Sequence, residues 1–596
     1  MHARSGFLAA VRAPVLLLPL ALLPLARRGL LPPGLAFVLA NGAWLIVLGA
    51  LAAAAVLFWR GAGLPSERLW TRVSTWLDGR PTRWVALAPA LVALVAALLL
   101  VPAYRWYGPP SGDEPKYLRL AVSLHRDLDA DVAANQPGRL ELGGLAQNIT
   151  HLCERTARTV KALARGDRPA AERAWSQRNW TVAGWGGGLY YVQSPGLPAL
   201  LVPALALDPP PGPEGPPPPL AIVTLAGLWA FALVQTMKLG AEVSGSRWAG
   251  LLAAIAVTTA APLLVGGQHF YPEAAAAAAV PWLARWLRAG APRPGLARTL
   301  ALGLIAGALA WLHVKLLPLG LTAASLLALR LRPRERALLL VAVALPLTGL
   351  LLFQYAVTGL LRPDAIYLRF GSDVYRGPGD FLSAGLLGGL ANALFGPRDG
   401  SFVMAPVLLS AALALPRLWR RDRATTLALG ALFASLWVVA ALHGGGAPGP
   451  PARLLAPVLP LLAVPLALGL VELGDYLPFR WAVVGLALAS WTLSAAMLQD
   501  WRRTVKPFRG VLTPATDFTA DLPGGTASGA ATAASGGLLL LVGVFWARRL
   551  SLVQSGGPAS VANVWRQILA LHAAAWATVL VVSGTLHGLR VLLAPP

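Results

Sequence analysis

The chain has 596 residues, of which 56% are hydrophobic and only 13% charged, and its mean hydropathy is +0.61. A soluble chain of this size carries about twice that charged fraction, which excludes an ordinary soluble globule. The formal net charge is +24. The basic residues nevertheless sit in short clusters between apolar segments, as in Arg330/Arg332/Arg334/Arg336 and Arg417/Arg420/Arg421/Arg423. That is the distribution of cytoplasmic loops in a multi-pass membrane protein and not of a nucleic-acid surface. Cys153 is the single cysteine, so no intrachain disulfide can form.

Apolar stretches near the ~20-residue spanning length recur from end to end. The first, 7–26, shows no clear small-residue cleavage site and is followed at once by another at 34–58, so it reads as a retained helix. A third, near 84–102, brings the chain outside, where a long polar stretch, 103–184, follows. The next apolar segment, 190–207, contains Pro195, Pro198 and Pro203. If it crossed fully, the Arg-rich loop after Trp286 would fall outside, against the positive-inside trend. It is therefore expected to be re-entrant or incompletely spanning, which is tolerated only inside protein or along a cavity. Segments near 220–240, 249–265 and 272–289 come next, the last ending in Arg285, Arg288, Arg293 and Arg298.

Two short runs, 299–312 and 316–329, then flank His313-Val314-Lys315, with Arg clusters at both outer ends. Each run makes about 21 Å of helix against a ~30 Å hydrocarbon core. The tip of so short a hairpin is expected at the bottom of a recess open to the outside, holding Lys315 and His313. A snorkelling Lys beside a capping His is the alternative. Later spans are expected near 337–358, 401–418, 424–442, 453–473, 481–498, 536–547 and 567–585, with outside stretches at 359–400, 443–452 and 499–535. The chain thus divides into extra N-terminal transmembrane helices (1–83), a core (84–475) with its external loop, and C-terminal helices with a further external loop (476–596).

The external loop opens with Ser111-Gly112-Asp113-Glu114-Pro115-Lys116-Tyr117-Leu118. Pro115 suits a first helical turn, and an acid before it suits a cap. Leu118, Ala121, Val122 and His125 then form one stripe, as on an interfacial helix. A cap leaves the second carboxylate unexplained; adjacent acids just past a membrane exit are also what a general base or a divalent metal needs. A second amphipathic stretch runs through 145–163. Glu273 is either a first-turn acid favoured by the helix dipole or a site residue. Arg398 and Asp399 fit a turn with a surface ion pair. Arg453, at the outer start of a late segment, opposes the positive-inside trend and suits an anion contact.

At these residues the chain resembles the GT-C class of membrane glycosyltransferases, which includes the protein O-mannosyltransferases and the lipid A aminoarabinose transferases. Those enzymes carry an Asp-Glu-type motif in the first large external loop, followed by amphipathic juxtamembrane helices. Gly112-Asp113-Glu114-Pro115-Lys116-Tyr117-Leu118 is similar to a bacterial form of it, with Lys116 where a His is expected. Four more stretches fit in the family's order: Gln193-Ser194-Pro195-Gly196-Leu197-Pro198, His269-Phe270-Tyr271-Pro272-Glu273, Trp311-Leu312-His313-Val314-Lys315, and Arg453-Leu454-Leu455-Ala456-Pro457. The resemblance covers 84–475 and implies an all-α polytopic GT-C-like helical bundle whose external loop carries amphipathic juxtamembrane helices.

By that resemblance Asp113 is the base that deprotonates the acceptor, Glu114 and Glu273 its acidic neighbours, and Lys315, Arg453 and His313 the groups near the carrier phosphate. Lys116, Tyr117 and Arg398 are further candidates at the site. A divalent metal is left open by the resemblance, Lys116 in place of His counting against one at that position. The implied reaction takes a sugar from a polyprenyl-phosphate donor to a lipid, glycan or protein acceptor. It proceeds with inversion, at the periplasmic or outer face of a bacterial inner membrane, without nucleic acid. Two other classes use the same charges: a transporter or flippase of an anionic lipid-linked substrate, and a non-catalytic member of the fold.

Overall fold

The computed structural model describes residues 75–82, 113–126, 130–132, 181–183, 189–208, 218–370, 384–395, 400–443 and 452–473, with scattered positions up to 494. The expected spans at 7–26, 34–58, 536–547 and 567–585, most of those at 84–102 and 481–498, the amphipathic stretch at 145–163, the loop at 499–535 and Arg398 lie outside the described residues. Within the described residues the fold is helical, with one two-stranded antiparallel ribbon that pairs Thr181 with Tyr191 and Ala183 with Leu189.

In chain order the elements are α1 (Glu114–Arg126), β1 (Thr181–Ala183), β2 (Leu189–Tyr191), α2 (Gly196–Leu207), α3 (Pro219–Ser244), α4 (Arg247–Thr258), α5 (Ala261–Leu264) and α6 (Pro272–Leu287). The hairpin follows as α7 (Leu296–Leu312), a 3-10 turn at Val314–Leu316 and α8 (Leu317–Ala328). Then come α9 (Pro333–Thr358), α10 (Ala365–Phe370), α11 (Ala384–Phe395), α12 (Ser401–Met404), α13 (Leu408–Arg421), α14 (Arg423–Leu442) and α15 (Ala463–Glu472). Among the described residues, three helices are long and apolar enough to cross a membrane: α3, α9 and α14, of 26, 26 and 20 residues. Their ends are written in the sequence. Pro219 and Pro333 occupy first helical positions, where the missing N–H costs nothing. Gly245 and Gly359 close α3 and α9 in the left-handed conformation, with φ of 81° and 76°. Asp422 caps α14 by accepting from the Thr425 N–H at 2.9 Å.

Three expected segments come out differently, and one of them, 401–418, is split into α12, which ends at Met404, and α13, which begins at Leu408. The stretch 249–265 is not one helix; α4 stops at Thr258 and α5 restarts at Ala261. Pro262 lacks the N–H that would bond the Thr258 carbonyl, and the Trp229 indole donates to that oxygen instead, at 3.0 Å. The stretch 453–473 opens as turns and a 3-10 segment, and α15 begins only at Ala463, because Pro457 and Pro460 interrupt the backbone ladder. The segment expected to be incompletely spanning is the 12-residue α2, about 18 Å long and too short to cross a ~30 Å core. It starts against the hairpin tip: a Cβ on Gly196 would lie 2.5 Å from the Trp311 carbonyl oxygen. It ends with the Asp208 carboxylate accepting from Leu220 N, in the first turn of α3, at 3.1 Å.

The bundle has two chemically distinct ends. At one, Arg330 donates to the carbonyls of Trp286 and Arg288 and so closes the end of α6. There too Arg285 and Arg288 pair with Glu242, and Arg421 with Glu472. The other end gathers the starts of α1, α6 and α8, the ribbon, α10 and the turn at Arg453. The α1 helix packs against α2 through Tyr117, Ala121 and Val122, while Leu120 is buried against Val132 and Tyr191 on the ribbon side, so its apolar residues are covered by protein.

Candidate functional site

Asp113 and Glu114 are adjacent at the start of α1, and consecutive helical side chains point about 100° apart. They diverge accordingly. Lys116, three residues on, donates to Asp113 Oδ1 at 2.9 Å, and the Gln193 amide donates to the same oxygen at 3.1 Å. Glu114 turns the other way, is fully buried, and accepts from the Phe270 N–H at 2.9 Å with His269 Nδ1 3.4 Å away. That contact ties the turn before α6 to the external helix. Tyr117, one turn on, meets Tyr271 edge to face with centroids 6.3 Å apart.

Pro272 and Glu273 form the first turn of α6, a position that favours a carboxylate. Glu273 also receives Lys315 from the hairpin tip in a close ion pair, with only 2% and 4% of the two side chains exposed. Beside them His313 accepts from the Lys315 N–H through Nδ1 at 3.2 Å. A neutral imidazole that accepts at Nδ1 carries its proton on Nε2, which sits 3.2 Å from the Tyr367 hydroxyl of α10. The hairpin tip is thus enclosed by α6 and α10.

Arg453 completes the cluster. The preceding Ala452 is the only non-glycine residue with positive φ among the described residues, at 55°. A side chain in that region costs about 1–2 kcal/mol, and it turns Arg453 inward. Its guanidinium lies 4.7 Å over the Tyr271 ring, with Nη1 4.0 Å from Asp113 Oδ2 and Nε 3.9 Å from Glu273 Oε1. Tyr271, Glu273 and Arg453 stand at the head of an apolar crevice lined by Trp229, Leu263 and Ala277. Burial draws the Lys116 ammonium below the ordinary lysine value while Asp113 pulls it the other way. Burial also raises the Tyr117 hydroxyl well above the usual tyrosine range, so it remains a neutral donor.

Asp113, Glu114, Lys116, Tyr117, Glu273, His313, Lys315 and Arg453 therefore meet at one end of the bundle; Arg398 lies outside the described residues. Three neighbours had no role assigned from sequence: Gln193, Tyr271 and Tyr367. The first two lie inside stretches that sequence reading singled out, whereas Tyr367 follows no motif spacing. Among the described residues no group of three or more His, Cys, Asp or Glu side chains is placed to hold a metal ion. Asp113 and Glu273 both face Arg453, whereas Glu114 faces the Phe270 N–H and His269. No protein-family model matches the chain, and no curated protein matches it in sequence.

Proposed function

We propose that this chain is a polytopic membrane glycosyltransferase of GT-C type, which transfers a sugar from a polyprenyl-phosphate donor to an acceptor hydroxyl at the outer face of the membrane. The observation that carries the reading is the state of the Asp113 carboxylate. Its Oδ1 is held by Lys116 and Gln193, while Oδ2 faces the Arg453 guanidinium across 4.0 Å, too far for a direct hydrogen bond. A fixed base beside a fixed cation is what an in-line displacement at an anomeric carbon needs.

In this mechanism Oδ2 takes the proton of the acceptor hydroxyl as its oxygen bonds to the anomeric carbon. The bond from that carbon to the phosphate oxygen breaks, and its electron pair leaves with the polyprenyl phosphate. Arg453 offsets the charge that grows on the phosphate. Lys315, already paired, acts through Glu273 by keeping that carboxylate from repelling the phosphate. The exposed apolar faces of the helices suit the carrier's hydrocarbon, and in this reading the Arg-rich end faces the cytoplasm.

The test is transfer by the purified full chain in nanodiscs, using radiolabelled sugars on polyprenyl phosphate and a lipid extract as acceptor source. Labelled product that requires the chain supports the reading. Binding of the carrier without any transfer, together with its movement across a vesicle membrane, would replace it with a transporter.

A further inference from the structure

Four buried polar atoms in the cluster have no hydrogen-bond partner among the described residues: Gln193 Oε1, Glu273 Oε2, and Arg453 Nε and Nη1. They form one continuous chain of contacts. Gln193 reaches Asp113 at 3.1 Å, Asp113 reaches Arg453 at 4.0 Å, and Arg453 reaches Glu273 at 3.9 Å. The orientation of the Gln193 amide is fixed by its partner: a carboxylate only accepts, so the nitrogen faces Asp113 and the oxygen faces away. Gln193 and Glu273 are 7% and 3% exposed, so bulk water does not satisfy them. Leaving such groups unpaired costs about 1–3 kcal/mol each, which a ligand's own polar groups would remove.

The chemistry of the four atoms is mixed. Two are acceptors and two are donors. A phosphate carries only acceptors at neutral pH and can satisfy Arg453 but neither Gln193 Oε1 nor Glu273 Oε2. A hydroxyl donates and accepts at once, so a ring bearing several hydroxyls satisfies all four. Tyr271, edge-on to Tyr117 and under Arg453, adds a flat apolar wall to the same place.

We infer that Gln193 and Glu273, with Arg453 between them, form a subsite that reads the hydroxyl groups of the donor sugar, and that Gln193 is a specificity-determining residue. This rests on the glycosyl-transfer reading and names the part of the donor the site recognises. A site built to bond a hydroxyl discriminates strongly against a ligand that lacks it, because its buried groups are then left unpaired.

The experiment measures binding to the purified full chain in nanodiscs by bare polyprenyl phosphate and by polyprenyl phosphate carrying glucose, mannose or arabinose. The expected result is that at least one sugar-bearing carrier binds about tenfold or more tighter than the bare carrier. Gln193→Leu should remove most of that gain, read as the ratio of sugar-bearing to bare-carrier affinity within each chain, the loss of one buried hydrogen bond being worth about tenfold. Deoxy forms of the preferred sugar repeat the test on the unaltered protein, so a Gln193→Leu chain that fails to fold does not end it. Equal binding of bare and sugar-bearing carriers overturns the subsite and leaves the carrier reading standing. So does a sugar preference that survives both Gln193→Leu and every deoxy form, which would move the hydroxyl ligand to the acceptor. Absence of binding by any carrier overturns both.

Discussion

Lys315 and Glu273 lie 42 residues apart in the chain, and each is costly to bury without the other. Removing one partner of a buried pair costs about 3–5 kcal/mol, whereas replacing both by apolar groups is often neutral. Lys315→Met should therefore destabilise the chain strongly, towards the lower end of that range because Arg453 still faces Glu273 at 3.9 Å. Lys315→Met combined with Glu273→Met should recover most of the loss in thermal unfolding in detergent. A silent single substitution would remove the pair from the account. Lys116 gives a pH signature. Its folded-state pKa is lowered, so the folded chain releases this proton before the unfolded chain does. Its contribution to stability therefore rises with pH through the window below the ordinary lysine value. Turnover should run the opposite way, because deprotonated Lys116 no longer holds Asp113 Oδ1 as a cation. The rate should fall on an alkaline limb below the ordinary lysine value, and Lys116→Arg, which stays charged, should move that limb upward. An unmoved limb in the pH–rate profile would assign it to another group. Sequence order identified Asp113, Glu273, Lys315 and Arg453 as candidates. It contained nothing to reveal that Glu273 neutralises Lys315, since that pairing exists only once α6 and the hairpin are packed.

At the scale of elements, helix ends were the most legible feature, because Pro at the start and Gly at the finish act locally. Breaks that depend on a partner were not. The stop at Thr258 needs Trp229, 29 residues earlier, to take its carbonyl. The site also depends on how closely helices approach. Gly303 and Gly307 share a face of α7, and a Cβ on them would lie 2.5 Å from the Ala342 Cβ and the Val343 carbonyl oxygen of α9. The Trp311 indole fixes the same contact by donating to the Pro346 carbonyl at 2.7 Å. Gly307→Ala should cost about 1–3 kcal/mol by overpacking and displace the hairpin tip that carries Lys315. Gly227, exposed on α3 with nothing within 4 Å of its Cβ position, is the control. There alanine should stabilise the chain by up to about 1 kcal/mol. Equal melting temperatures for the two variants would show that α7 and α9 are not in backbone contact.

At the scale of the whole bundle, the described residues place a mixed acidic and basic cluster at one end and arginines at the other. The α6 helix leads from Glu273 to Arg285, and its 16 residues separate the charge cluster from the Arg-rich end by about 24 Å. The α9 helix runs the opposite way, from the cluster at Arg332, Arg334 and Arg336 to Gly359, beside α10. Under the proposed orientation, with the arginines inside, the site end would face out. In a chain whose Cys153 is replaced by Ser, Leu361→Cys should react with an impermeant thiol reagent in intact cells, and Arg334→Cys should react only after lysis. The reverse pattern would invert the orientation. The sequence alone located the Arg clusters and the short hairpin, because charge and length are additive along the chain. That 190–207 should not span as one helix was legible only through the parity of those clusters, and the 12-residue α2 is too short to cross.

The most direct measurement compares sugar transfer from polyprenyl-phosphate donors by membranes holding the unaltered chain and the Asp113→Asn chain. Asn keeps the size of Asp113 and its place beside Lys116 and Gln193, so expression and melting temperature should change little. Turnover should fall by about 10²- to 10⁴-fold, the usual contribution of a positioned general base. Transfer at the unaltered rate in Asp113→Asn, with both chains equally folded, would contradict the account.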